Sequence, residues 1–254
     1  MSRGFTLVEM LVVFALIALL LGIAIPVYSR IVTSGRIAAS ASNLTQLAAA
    51  NLTYAADNDG YYCPAQDKRN LVRWHGARTS TSSPFDPTKG YLSKYLGNEG
   101  RVKTDPLFVQ YLKGSKSFED GSGGYGYNEI YVGGTPQNSF QPNLISQVPA
   151  AARTVMFATT ALAVGNGAQE YPFCEPPFWD FGNGPSGFRP TPSVHFRANG
   201  KALVAWCDGH VTAESKVDRP DGSNPYGGDA EAQNLGWFGP DTNNGYWNPN
   251  SGQN

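Results

Sequence analysis

The chain has 254 residues, 19 of them basic and 20 acidic, for a net charge of -1. That length supports a core that is stable without disulfide staples. The balanced charge, with no basic stripe and no acidic tail, excludes a nucleic-acid partner and a solvating tail. Three cysteines, Cys63, Cys174 and Cys207, allow one disulfide and a spare thiol in an exported domain, and their spacing does not say which two would pair. No C-x-x-C pair points to zinc.

The chain opens on a short polar, basic stretch, Met1-Ser2-Arg3-Gly4, and then turns apolar from Phe5 to Ile25. As a helix, this run of about 21 residues is roughly 30 Å long, enough to span a bilayer core. A secretory signal would carry a longer basic start, a shorter apolar core and a small-residue cleavage site behind it. Ala24-Ile25-Pro26-Val27 fits such a site poorly. Cleavage before the apolar run, after Gly4, explains the layout better. Glu9 is the one ionisable residue inside the run. A carboxylate there costs several kcal/mol unless paired, on the order of 3 kcal/mol at the bilayer centre. The bland alternative is a Glu9 that snorkels to the headgroups.

Pro26 removes a helix donor and Gly22 adds freedom beside it, which reads as a flexible joint. Beyond it, Val27, Ile31, Ala38, Ala41, Leu44, Ala48 and Leu52 recur at helical spacing. The helix is therefore expected to resume and run to about Ala56 with this stripe packed on the rest of the protein. Asp57-Asn58-Asp59-Gly60 stops it.

From residue 57 the pattern is one of short segments and frequent turns. Tyr91 to Gly97 reads as a short helical turn ended by glycine. Gly123 to Asn128 reads as an aromatic strand or loop, and Arg153 to Ala158 and Lys201 to Cys207 as buried strands. Asp208-Gly209 signals a two-residue hairpin loop, with His210 opening the return strand. Strands behind a long helix, with no alternating helices, give an α+β class: a long N-terminal helix packed on a small antiparallel sheet with long loops. The expected divisions are residues 1–4, 5–26, 27–56 and a head at 57–254.

Gly4-Phe5-Thr6-Leu7-Val8-Glu9 resembles the processing site of type IV prepilins and type II secretion pseudopilins. The resemblance implies a peptidase that cuts after Gly4 and methylates the amine of Phe5. It makes Glu9 the partner of a neighbouring subunit's amine in a helical filament, and puts Pro26 where many members carry proline. It also implies other pilin subunits, an inner-membrane assembly platform and the lipid bilayer as partners. The expected location is the bacterial inner membrane, single-pass, with the head in the periplasm and Arg3 on the cytoplasmic side. A second resemblance covers Asn199 to Val211, similar to the C-terminal motif of a pilin-like group with a histidine, nine residues and Asp-Gly. Asp208, Gly209 and His210 would be its hairpin. The expected histidine position holds Ala198, and His195 lies three residues earlier.

Other chemistry is thinner. His75, His195 and His210 with Asp180 or Asp208 lack paired ligand spacing and read as surface or turn histidines. Asp57 and Asp59 open like a calcium loop, but the twelfth position is Lys68 where a glutamate is needed. Asp218, Asp221, Asp229 and Asp241 form a second, weak calcium candidate; otherwise no cofactor is expected. Trp179, Trp206, Trp237 and Trp247 could stack sugars, but such aromatics more often fill a core. No catalytic motif is present, and Glu175 with Asp180 is not a catalytic pair by sequence. The leading expectation is a structural pilin-like subunit of a type II secretion pseudopilus or type IV pilus. The alternatives are a membrane-tethered polysaccharide-binding module and, third, an anchored enzyme.

Overall fold

The structure is a computed structural model that describes residues 5–111, 119–165, 167–181, 183–219, 222 and 224–251. It divides into two compact units, Met1–Ala38 and Ala39–Asn254. One helix, α1 (Leu7–Asp57), contributes to both.

In the first unit α1 is apolar on all sides from Met10 to Val27, and the side chains from Phe5 to Tyr28 are exposed. Among the described residues it is the one helix long and apolar enough to cross a membrane. The helix runs through Pro26, so an end at the proline is excluded. One turn later the Ser29 hydroxyl donates to the Pro26 carbonyl at 3.0 Å.

In the second unit α1 is rich in alanine, the best helix former, and buries Ser40, Leu44, Leu47, Ala48, Ala50, Asn51 and Ala55. This corrects the expected stripe. Leu44 and Ala48 are buried, but Val27, Ile31 and Ala38 are exposed, and the packed face includes two polar residues. Both meet tyrosine hydroxyls, as described below. The helix stops where expected: the Gly60 N–H returns to the Ala55 carbonyl at 2.9 Å with Asp59 and Gly60 at positive φ, closing the last turn.

Among the described residues ten short strands follow: β1 (Val72–Arg73), β2 (Gly76–Ala77), β3 (Tyr125–Tyr127), β4 (Val155–Thr159), β5 (Leu162–Val164), β6 (Gly167–Gln169), β7 (Val194–His195), β8 (Lys201–Trp206), β9 (Val211–Ser215) and β10 (Leu235–Gly236). The main sheet is antiparallel, in the order β3-β4-β8-β9. Three two-stranded ribbons, β1-β2, β5-β6 and β10-β7, complete the set. The class is α+β, as expected. Strand β4 is buried along its whole length, which accounts for its continuous apolar run, whereas the edge strand β9 carries no fully buried residue.

The Tyr91–Gly97 turn is a 3-10 turn over Ser93–Tyr95, with Gly97 at φ 70°. The hairpin between β8 and β9 pairs Ala205 with Val211, so Trp206 and His210 close it around three residues, Cys207-Asp208-Gly209. The expected two-residue loop is therefore one residue short. The Gly209 N–H bonds the Trp206 carbonyl at 2.9 Å, and Gly209 takes φ 94°, the left-handed residue that a three-residue hairpin needs.

One core cluster joins Val155, Ala158, Val204, Trp206, Trp237, Phe238 and Trp247. Three of the four candidate sugar-stacking tryptophans thus lie inside the protein. Their indole N–H groups have partners: Trp237 donates to the Glu175 carbonyl at 3.2 Å, Trp247 to the Cys174 carbonyl at 2.9 Å, and Trp206 to the Thr212 hydroxyl at 2.8 Å. All three cysteines are buried free thiols, so the disulfide that the composition allowed is not formed. His75 and His195 are fully buried and are not the surface residues expected from sequence.

Candidate functional site at the helix N-terminus

The start of a helix leaves four N–H groups without intrahelical partners. Here Thr6 and Glu9 satisfy two N–H groups at that end reciprocally. The Thr6 N–H and hydroxyl both donate to Glu9 Oε2, at 2.8 and 2.7 Å, and the Glu9 N–H approaches Thr6 Oγ1 at 3.3 Å. This is a capping box, and the carboxylate also lies at the favourable end of the helix dipole. Thr6-Leu7-Val8-Glu9 is the S/T-x-x-E signature of such a box, so this role of Glu9 was open to sequence reading and was missed there. Both donors fall on the same oxygen, so the cap uses one of the two carboxylate oxygens. Phe5 precedes the box and is largely exposed. Gly4 lies outside the described residues, as does the whole 1–4 segment.

The second candidate segment is the β8–β9 hairpin. Asp208 Oδ1 accepts the His210 N–H at 3.1 Å and lies 2.6 Å from His210 Nδ1. Burial pushes the Asp208 carboxyl up, but the ring and backbone contacts of His210 outweigh it and hold the pKa below its ordinary value. The His210 ring stacks on Trp206, with centroids 5.7 Å apart and planes at 11°. Asp208, Gly209 and His210 therefore build a turn.

His195 does not join them. It sits in β7, where its Nδ1 lies 2.9 Å from Arg197 Nη1. Arginine cannot accept, so Nδ1 accepts and the proton sits on Nε2. That Nε2 is buried without a partner among the described residues. Burial and the Arg197 charge push the His195 pKa down to about 2. Arg197 is itself fully buried against Asp105, with an N–O distance of 2.7 Å. The motif's histidine position, Ala198, forms a backbone bridge with Lys201.

Among the described residues, no three His, Cys, Asp or Glu side chains are placed to hold a metal ion. Of the calcium candidates, Asp241 is flanked by Arg189 at 2.8 Å and Arg219 at 2.6 Å, Asp229 accepts the Ala232 N–H at 2.9 Å, and Asp218 is exposed. Asp221 lies outside the described residues. Asp57 accepts the Tyr95 hydroxyl at 3.0 Å. Glu175 and Asp180 each take a tyrosine, Tyr171 at 2.7 Å and Tyr131 at 2.9 Å.

No curated protein and no solved structure matches the chain. Residues 1–25 match the family described as the prokaryotic N-terminal methylation motif. This stretch holds the Gly4-Phe5 junction, the Thr6–Glu9 box and most of the apolar run. With that motif at its N-terminus and a long apolar helix running on from it, the chain fits the pilin-like family.

Proposed function

We propose that the chain is a prepilin. A prepilin peptidase cuts between Gly4 and Phe5 and methylates Phe5. Residues 5–26 hold the product in the bacterial inner membrane as a single span, with the 57–254 head in the periplasm. Copies of this helix, or of related pilins, then bundle into a type II secretion pseudopilus or a type IV pilus-like filament.

The observation that carries this reading is the pairing of a methylation motif with a long helix whose apolar stretch holds one acidic residue, Glu9, at its first turn. An exposed apolar helix in water is unfavourable by about 25 cal/mol per Å², so it needs lipid before assembly and other helices after it. Glu9 limits where that helix can sit. Its carboxylate is costly in lipid, and the capping box offsets part of the cost within one chain. The remaining oxygen suits a charge-assisted hydrogen bond from the Phe5 amine of a neighbour, which would set the axial step between subunits. Pro26 lies on the same helix and leaves the Gly22 carbonyl without its usual N–H donor.

The test is Glu9→Gln in cells that carry the assembly machinery. Gln keeps a hydrogen-bonding cap but loses the charge. Cleavage and membrane insertion are expected to persist while shed or cell-bound filament falls at least about tenfold, the effect of losing roughly 1.4 kcal/mol per subunit contact. Filament at wild-type levels would count against the assembly role.

A further inference from the structure

Between Glu9 and Asp57 the helix α1 carries two charged side chains, Arg30 and Arg36, and both are cations. Both are exposed, and both belong to the first compact unit, together with the apolar run. The run ends at Ile25. At 1.5 Å of rise per residue, Arg30 lies about 7.5 Å and Arg36 about 17 Å farther along the axis. The headgroup layer on each face of a bilayer is roughly 5–8 Å deep, so Arg30 stands among the headgroups when residues 5–25 fill the hydrocarbon core. A helix tilts each Cα–Cβ bond toward its N-terminus, so both side chains lean back toward the bilayer on flexible apolar stems.

The surroundings fit such a boundary. Tyr28, 70% exposed, stands between the run and Arg30, at the level where aromatic rings line a membrane surface. Two hydroxyls nearby are engaged by the helix itself: Ser29 donates to the Pro26 carbonyl at 3.0 Å and Thr33 to the Ser29 carbonyl at 2.9 Å. From Met10 to Ala56 the helix has no carboxylate, so neither arginine has an acidic partner on this stretch of α1. Six residues apart, the two side chains point about 120° apart around the axis, so each meets its own neighbour in the membrane.

We propose that Arg30 and Arg36 form a basic collar that binds phosphate groups of anionic phospholipids in the periplasmic leaflet, Arg30 the more strongly. The proposal rests on residues 5–26 spanning the membrane, as proposed above. A guanidinium donates two parallel N–H bonds to phosphate oxygens. Its charge favours a lipid whose head is net negative over a zwitterionic one, which brings its own cation.

The test is native mass spectrometry of the full chain, released from detergent micelles that hold phosphatidylglycerol and phosphatidylcholine with the same acyl chains in equal amounts. The wild type is expected to carry more phosphatidylglycerol. Arg30→Gln should lower the ratio of the two bound lipids about fivefold. Arg36→Gln should lower it less, because it lies about 9 Å farther out, roughly one Debye length at physiological salt. Arg30→Lys keeps the charge and should retain most of the preference. Glycerol 3-phosphate, the same phosphate without acyl chains, should not displace the lipid. Equal ratios in the wild type and the Arg30→Gln, Arg36→Gln double variant would overturn the proposal. Displacement by glycerol 3-phosphate would do so too, by making the collar a general anion site. Loss of filament in the double variant with an unchanged lipid ratio would assign the arginines to a carboxylate of a neighbouring subunit instead. Alkaline carbonate washing of host membranes separates the collar from the span it rests on. A chain that stays in the membrane without preferring phosphatidylglycerol sinks the collar alone, and a chain that washes out sinks the span with it.

Discussion

Asn51 and Tyr127 hold the helix to the sheet through one closed set of hydrogen bonds. Asn51 Nδ2 donates to the Tyr127 hydroxyl at 3.0 Å, Tyr127 donates to the Cys63 carbonyl at 2.9 Å, and the Cys63 N–H donates to Asn51 Oδ1 at 2.8 Å. Each group is fully buried. Asn51→Leu leaves the Cys63 N–H and the tyrosine hydroxyl short of partners, at about 1–3 kcal/mol for each buried group. Urea unfolding should show a loss in that range. Combined with Tyr127→Phe, the losses should be less than additive, because the two residues serve one network.

Arg197 is the second fixed point. It reaches Asp105 with Nε at 2.8 Å and Nη2 at 2.7 Å, the Thr160 carbonyl at 3.1 Å and the Gly124 carbonyl at 2.5 Å, with its guanidinium over Phe108. Arg197→Met leaves the Asp105 charge buried and unpaired, at a cost of about 3–5 kcal/mol. Thermal unfolding should show that loss, and adding Asp105→Leu should restore part of it. Equal stability of the wild type and Arg197→Met would mean that this pair does not hold the fold.

Acid should weaken the head through its histidines. The folded pKa of His195 lies at about 2, below the ordinary 6.5, so its contribution is present above 6.5 and is lost as pH falls below that value. One such proton changes stability by about 1.4 kcal/mol per pH unit. His195→Asn should have a shallower acid limb in denaturant midpoints measured between about pH 6.5 and about pH 4.5. An unchanged limb would mean that His195 is protonated in the folded protein.

The thiols give a simple check on packing. Burial pushes Cys63 and Cys174 well up, and raises Cys207 to about 12. Thiolates are the reactive form. The native protein should therefore resist a thiol reagent such as a maleimide, and all three should react after denaturation. Fast labelling of any one in the native state would place that residue at the surface.

Much of this molecule was legible because the signals are local. The N-terminal methylation motif, the apolar run, the turn at Asp57 to Gly60 and the strands at 153–158 and 201–207 depend on neighbouring residues alone. What was missed depends on distant ones. Ser40 and Asn51 belong to the packed helix face because Tyr125 and Tyr127, more than 70 positions away, bury hydroxyls there. Apolar periodicity cannot count such residues. The Asp-Gly loop gained a residue because Trp206 pairs with His210 across the strands. The π-turn at Glu129 has no sequence signature of its own. The Thr6–Glu9 box is the exception: its S/T-x-x-E spacing is local, and the charge of Glu9 inside an apolar run masks its role as a cap.

The most direct test of the whole reading is the intact mass of the protein, with N-terminal fragmentation, from a host that carries prepilin peptidase. The expected product begins at N-methylated Phe5. A chain that still begins at Met1, or one cut near Ala24, would contradict it.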